Sequence, residues 1–248
     1  MITTEFKLEF EVVGSQNGGK TTAVIVAAGE SSRMGCNKQL LPLSGKPVLA
    51  HSIAAFEQYD KVDNIVVVAS QESLLAVQKL VKDCGFKKVT DIVIGGATRA
   101  ESVKNGIAAC GLQSDIVLIH DGARPLVTLE IIEAVRNAAE LYKAAVPVVP
   151  LKDTVKEIDS SGRVIRTPER SQIYAAQTPQ GFCLSTYREA LDKLQGNQDF
   201  YDDSQLLESV GFPVYTVKGS YENIKITVPG DLAIAEEIFK NREQKPCE

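Results

Sequence analysis

Apolar β-type segments alternate with helical segments along the first part of the chain, and this alternation limits the possible folds. Continuous apolar runs predict strands at residues 23–27, 65–69, 92–94, 116–120 and 144–149. Apolar residues at helical spacing predict helices at 47–58, 72–84, 99–110 and 129–142. Strands without a polar face, separated by helices, are typical of a mostly parallel sheet covered on both faces. The sequence therefore predicts an α/β domain.

Candidate site residues follow these predicted strands. Gly29 comes after the first strand, Gly95 and Gly96 after the third, and Asp121 directly after the fourth. Ligands of open α/β sheets bind outside the carboxyl ends of the strands. We therefore expect these residues to lie at one edge of the sheet and to form the binding site there.

The segment 22–39, TAVIVAAGESSRMGCNKQ, contains residues suited to binding an anion. The first strand ends in small residues, Ala27, Ala28 and Gly29, and a short polar loop then brings Arg33 and Lys38. Small residues let backbone N–H groups approach a ligand, and amides and cations together favour anions. This pattern indicates a phosphate-binding loop.

Composition excludes several classes of protein. The chain has 248 residues and a net charge of −5, which argues against nonspecific binding to nucleic acid or to a membrane surface. No apolar run approaches the ~20 residues of a bilayer span. The five cysteines are widely spaced without a CxxC pair, so we expect a cytoplasmic protein without disulfides. Six basic residues lie beside glycines, prolines or strand ends rather than in helix-face charge patterns, which suggests one focused site. They are Arg33, Lys38, Arg99, Arg124, Arg170 and Lys225.

After Pro150 the pattern changes to a polar hairpin at residues 151–168. Strands are predicted at 154–158 and 163–167, with a turn at 159–162. The hairpin has few large apolar residues and cannot bury a core by itself, so we expect it to pack on a second subunit. The chain is predicted to return at 174–180 and continue with helices at 184–194 and 202–210, strands at 214–217 and 224–227, and a last helix at 229–242.

One motif is interpreted as a decoy. Residues 14–21, GSQNGGKT, match the P-loop pattern G-x-x-x-x-G-K-[ST]. A P-loop needs a helix that opens at the Lys-Thr pair and points its N-terminus at the phosphates. The residues that follow form a β-type run instead. The prediction is a link from an N-terminal extension, residues 1–21, into the first strand.

Four sequence blocks carry a family resemblance that covers about residues 22–240. They are AAGESSRM with the following NKQ, GGATRAESV, HDGARP, and QTPQGF with the later NIKIT. In this order they resemble the 4-diphosphocytidyl-2-C-methyl-D-erythritol synthases, the cytidylyltransferases of isoprenoid biosynthesis. The chain departs from the pattern in a loop between Arg33 and Lys38 that is shorter by two residues, and in Gly122, where the family often has alanine.

The resemblance implies a Rossmann-like fold of the nucleotidyltransferase type in one domain, residues 22–243, with 151–168 as a dimerisation arm. It implies a homodimer that joins CTP to a polyol phosphate, 2-C-methyl-D-erythritol 4-phosphate, and releases pyrophosphate. The attacking phosphate is already an anion, so catalysis is alignment and charge neutralisation. Arg33, Lys38 and Lys225 would be the catalytic cations, and Asp121 would hold Mg²⁺.

The remaining roles are also carried over from the family. The nucleotide would be bound by a set of small and polar residues: Ala27, Ala28, Gly29, Gly95, Gly96, Arg99, Ser102 and Asp121. The acceptor would be bound by Arg124, Thr154, Arg170 and Thr178, with the arm contributing across the dimer interface. Two alternatives stay open at this point: an enzyme of the same fold that uses ribitol 5-phosphate, and a nucleotide-binding module without catalysis.

Overall fold

The computed structural model describes residues 19–29, 38–194 and 200–244 of the chain. Its α-helices are Val48–Gln58 (α1), Leu74–Cys84 (α2), Arg99–Ala109 (α3), Leu129–Tyr142 (α4), Leu184–Lys193 (α5), Asp203–Ser209 (α6) and Pro229–Gln244 (α7). The first strands are Lys20–Ala27 (β1), Pro42–Leu43 (β2), Lys46–Pro47 (β3), Asn64–Ala69 (β4), Val89–Ile94 (β5) and Ser114–Asp121 (β6). The later strands are Ala144–Pro150 (β7), Glu157–Ile158 (β8), Val164–Arg166 (β9), Tyr174–Ala176 (β10), Gln180–Cys183 (β11) and Tyr215–Lys218 (β12). Short 3-10 helices cover Lys38–Leu40 and Arg170–Gln172.

The central sheet is mixed and mostly parallel, as predicted. Its order is β10-β7-β11-β6-β1-β4-β5, and β12 pairs with β7. Neighbours among β6, β1, β4 and β5 are parallel, as are β7 and β12, whereas β10 and β11 run antiparallel to β7. The carboxyl ends of β1, β4, β5 and β6 therefore share one edge.

Alternate residues of β1 explain the two-sided core. Ala23 and Ile25 belong to a buried cluster with side chains of α1, α2 and α4. Val24 and Val26 face the other way, into a cluster with side chains of α3, α5 and α6. Successive side chains of a strand point to opposite faces, so an unbroken apolar run requires cover on both. The sequence pattern and the layered packing thus agree.

The predicted strand at 224–227 is wrong. The amide of Ile226 donates to the carbonyl of Ala123 at 2.8 Å, and the amide of Thr227 donates to Asp231 at 2.7 Å. The backbone of this segment therefore binds the loop after β6 and the start of α7, and it forms no strand ladder. The alternating pattern arises because Ile226 is buried while Lys225 faces a carboxylate.

The end of the P-loop-like motif is a strand. Lys20 begins β1, and Thr21 is buried beside Arg136 of α4. No helix opens at the Lys-Thr pair, so the interpretation of this match as a decoy is confirmed for Gly19, Lys20 and Thr21. Residues 1–18, including the start of the motif, lie outside the described residues.

The polar hairpin is present, with shorter strands than predicted. β8 and β9 form a separate two-stranded antiparallel sheet, closed by a turn in which the Gly162 amide donates to the Asp159 carbonyl at 3.0 Å. Ile158, Val164 and Ile165 are 58%, 52% and 56% exposed. We call residues 151–168 the arm. Across the described parts of the chain, no helix is both long and apolar enough to cross a membrane.

Candidate active site

A cleft of about 490 Å³ lies at the shared carboxyl edge of the strands. Its described lining brings together most of the residues predicted to bind the nucleotide and two predicted to be catalytic, Lys38 and Lys225. The nucleotide-binding residues that line it are Ala28, Gly29, Gly95, Gly96, Arg99, Ser102 and Asp121. Ala27 does not line it, since this residue is 2% exposed and packs in the core. Arg33 lies outside the described residues, so its predicted place here stays a prediction.

Asp121, the last residue of β6, is the anionic centre of the cleft. Lys225 Nζ lies 2.8 Å from Asp121 Oδ2. Arg99 Nε lies 3.6 Å from Oδ1, and Arg124 Nε lies 3.8 Å from Oδ2. The three cations come from different elements, the start of α3, the loop after β6 and the segment before α7. The fold therefore brings three cations that are far apart in the sequence together around one carboxylate.

These cations decide the charge of Asp121. Burial alone would raise the pKa of its carboxyl, but Lys225, Arg99 and Arg124 outweigh that effect and hold the pKa well below its usual range. Asp121 is therefore ionised at neutral pH. Lys225 is the most accessible of these three partners, with a side chain that is 38% exposed, and it lines the cleft.

A buried hydrogen-bond chain fixes the loop that follows Asp121. The amide of Asp121 donates to Thr178 Oγ1 at 3.0 Å, and that hydroxyl lies 3.1 Å from His120 Nδ1. His120 Nε2 lies 3.1 Å from the carbonyl oxygen of Arg124. Since a carbonyl can only accept, Nε2 carries a proton. In the neutral ring Nδ1 is then an acceptor, and the Thr178 hydroxyl donates to it. The chain of bonds thus ties both ends of the loop to one ring.

The imidazole of His120 is neutral at neutral pH. Burial lowers the pKa of His120 to about 4, despite the opposing effect of Asp121. Thr178 was predicted to bind the acceptor. Its hydroxyl is buried and engaged by Asp121 and His120, so the structure places Thr178 behind the cleft wall, where it orients the wall.

Arg124 is fixed by a second set of contacts that the sequence did not indicate. Its Nη1 donates to the carbonyl of Asn223 at 2.7 Å, and Asn223 Nδ2 donates to the carbonyl of Thr178 at 2.9 Å. Asn223 belongs to the NIKIT block, in which sequence reasoning singled out Lys225 alone. The block therefore supplies both a cation for the cleft and an anchor for Arg124.

The small residues of the cleft are required by close packing. A Cβ added to Gly95 would lie 2.3 Å from the Ala28 Cβ and 2.6 Å from Ser102 Oγ. Ser102 Oγ accepts from the Gly96 amide at 3.1 Å and donates to the Thr98 carbonyl at 2.9 Å. These residues shape the end of the cleft by bringing β1, β5 and α3 together. Gly29, by contrast, has none of the described residues within 4 Å of an added Cβ.

Two residues predicted to bind the acceptor, one in the arm and one just after it, are not brought to this cleft. Thr154 is exposed, and Arg170 lines a separate depression with Lys152, Glu169 and Tyr174, among others. Arg170 Nη1 donates to the carbonyl of Lys152 at 3.3 Å. Within one chain, therefore, the four residues predicted to bind the acceptor are divided: Arg124 and Thr178 contact Asp121 at the cleft, whereas Thr154 and Arg170 do not line it.

Comparisons with known proteins point to one family. The family model of 2-C-methyl-D-erythritol 4-phosphate cytidylyltransferase (IspD) matches residues 21–241. The chain is similar to the protein of that name from Alkaliphilus oremlandii, with 42% identity over 233 residues, 92% of this chain and 99% of the relative. The relative from Caldanaerobacter subterraneus is 45% identical over 223 residues, 87% of this chain and 96% of the relative. The crystal structure of 4-diphosphocytidyl-2C-methyl-D-erythritol synthase from Anaerococcus prevotii matches with a TM-score of 0.80 at 31% identity, covering 90% of this chain and all of that one (100%).

Proposed function

The chain belongs to the 2-C-methyl-D-erythritol 4-phosphate cytidylyltransferase family, and we propose that its active site is the cleft beside Asp121. It transfers CMP from CTP to 2-C-methyl-D-erythritol 4-phosphate, a step of the isoprenoid pathway that proceeds through this compound. The observation that supports the location is the carboxylate of Asp121 with Lys225, Arg99 and Arg124 around it, at the edge where α/β sheets bind ligands.

The cations perform most of the catalysis in this proposal. The acceptor phosphate is an anion that attacks the α-phosphorus of CTP, so the reaction needs no strong general base. Lys225 and Lys38 line the cleft and neutralise charge on the α-phosphate and on the departing pyrophosphate. The predicted role of Arg33 is the same. Alignment of two bound anions supplies the rest of the rate acceleration.

Asp121 is also the residue that would hold Mg²⁺. Its carboxyl is ionised, and Arg99 Nε lies 3.6 Å from Oδ1, beyond a close hydrogen bond. Mg²⁺ commonly takes one or two carboxylates together with substrate phosphates and waters. The described residues contain no cluster of three His, Cys, Asp or Glu side chains able to hold a metal, so a single carboxylate plus nucleotide phosphates is the fitting arrangement. The ion would neutralise phosphate charge.

A homodimer completes the site in this proposal. The arm exposes Ile158, Val164 and Ile165. Thr154 of the arm and Arg170, two residues after its end, do not line the cleft of their own chain. A second copy would cover the apolar residues of the arm and bring Thr154 and Arg170 to its own cleft. The acceptor would then be bound by residues of two chains.

The direct test is an assay of pyrophosphate release from CTP. Three reactions are compared, each with the protein and CTP. The first contains 2-C-methyl-D-erythritol 4-phosphate, the second contains ribitol 5-phosphate, and the third contains no acceptor. We expect release with the methylerythritol phosphate alone. Faster release with ribitol 5-phosphate would redirect the acceptor assignment, and no release with either would leave only nucleotide binding.

A further inference from the structure

Asp203 is a buried carboxylate that the mechanism above does not use. It lies at the start of α6 and is 4% exposed. Its Oδ2 accepts a hydrogen bond from Arg99 Nη2 at 2.7 Å, and its Oδ1 accepts one from the Tyr187 hydroxyl at 3.1 Å. Arg99 thus lies between two carboxylates, bonded to Asp203 and at a longer distance from Asp121.

We infer that Asp203 is a positioning residue that holds the guanidinium of Arg99 for the phosphates of the nucleotide. An arginine beside one carboxylate tends to form a bidentate pair with it. Asp203 binds the Nη2 end of Arg99, which prevents that pairing and keeps Asp121 available to its ligands. This inference rests on the proposed function of the cleft.

Both partners of this ion pair are fixed by the fold. Gln180 of β11 donates from Nε2 to Asp202 at 3.0 Å and accepts from the Ser204 amide at 2.9 Å, so it binds the residues on either side of Asp203. Arg99 is the first residue of α3, which begins with a capping box formed by Thr98 and Glu101. A carboxylate and a cation on two anchored helix starts form a preorganised pair.

The alternative is that the ion pair merely joins α6 to α3. Asp203→Asn separates the two possibilities because the amide has nearly the same shape and lacks the charge. If Asp203 positions Arg99, the Kd and KM for CTP rise roughly tenfold, which is typical for the loss of a charge-assisted hydrogen bond. The KM for the acceptor changes less than about twofold. A purely structural pair predicts a lower melting temperature with an unchanged Kd for CTP.

A double-mutant cycle makes the test independent of folding. In an Arg99→Ala chain, Asp203 has lost the residue through which it acts, so adding Asp203→Asn is expected to leave the Kd for CTP unchanged. The matched control is Glu140→Gln, which removes the carboxylate partner of another buried arginine, Arg136, on α4. It is expected to leave the Kd for CTP within about twofold.

The outcomes are separable. Equal Kd values for CTP in the wild type and in Asp203→Asn, or additive losses in the double mutant, would overturn the inference. A different result would contradict the proposed function: the wild-type protein would release no pyrophosphate with any acceptor. Calorimetric titration with CTP measures Kd without turnover. The Kd values therefore test the role of Asp203, and the pyrophosphate assay tests the proposed function.

Discussion

Charged side chains in the cleft bind partners from distant parts of the chain, whereas the ion pairs of the arm join neighbours on the same hairpin. Asp121 meets cations from three elements, and Arg99 reaches Asp203 on another helix. On the arm, Arg163 pairs with Asp159, Arg166 pairs with Glu157, and Lys156 Nζ donates to Thr167 at 2.8 Å. The arrangement of charges in the cleft therefore depends on the tertiary structure, whereas that of the arm depends on contacts within the hairpin.

This difference separates the two halves of the proposed reaction. The donor site is preorganised within one chain, since its central carboxylate, Asp121, is buried and pairs with three cations. The arm has exposed apolar residues and little to pack against in its own chain. Changes in the cleft should therefore affect catalysis directly, and changes in the arm should act through assembly.

The largest effect is expected for a cation of the cleft. Lys225→Ala should lower kcat by ~10²-fold or more with a smaller change in KM, because this charge acts on the transition state. The same loss is expected for Lys38→Ala. Steady-state measurement of pyrophosphate release gives both constants.

The arm offers a matched lysine. Lys156→Ala removes an exposed cation that binds Thr167, and we expect kcat to change less than about threefold. Similar losses for Lys225→Ala and Lys156→Ala would mean that the distinction between cleft and arm is wrong.

The second prediction concerns shared sites. An Arg170→Ala chain and a Lys38→Ala chain, each inactive alone, are mixed under conditions of subunit exchange. If the arm serves the neighbouring cleft, each heterodimer has one intact site, so about a quarter of the wild-type activity should return in an equal mixture.

A control mixture uses two cleft variants, Lys38→Ala and Lys225→Ala. Both defects then stay in the clefts of their own chains, and no recovery is expected. If confirmed heterodimers of the Arg170 and Lys38 variants remain inactive, the acceptor is bound within a single chain.

The fold was predictable where local pattern and tertiary packing agree. Helix 129–142 was predicted with its observed bounds, because its apolar face is regular and a β-type run follows it. The strand predicted at 224–227 is absent, since the alternation of this segment reflects one buried isoleucine and one lysine that faces Asp121. An alternating pattern cannot tell a strand ladder from a loop with the same two-sided environment.

The site was predictable in part for a similar reason. Small residues and charges at strand ends are visible in the sequence, and the topology of a parallel sheet brings them together. Asp203, His120 and Asn223 were missed because their roles depend on partners that only the tertiary structure supplies. Asp203 reads in the sequence as an ordinary acidic residue in the first turn of a helix.

The smallest effect is expected in the pH dependence of stability, and it also distinguishes the two regions. His120 is buried beneath the cleft wall, where it faces Asp121, Arg124 and Lys225, and its pKa of about 4 lies below the unfolded value of 6.5. The unfolded chain therefore binds more protons between these values, so the free energy of unfolding falls as pH falls through this window. One proton contributes at most ~1.4 kcal/mol per pH unit.

His120→Gln removes this titration and should flatten the dependence of unfolding free energy on pH between 6.5 and about 5. Urea unfolding at several pH values measures the slope, and the difference from the wild type isolates His120 from His51, whose pKa burial also lowers. A chain without the arm should keep the wild-type slope, because the arm contributes no histidine. If His120→Gln keeps that slope as well, the imidazole is not held neutral, and the bond from Thr178 to Nδ1 that orients the cleft wall has been assigned in the wrong direction.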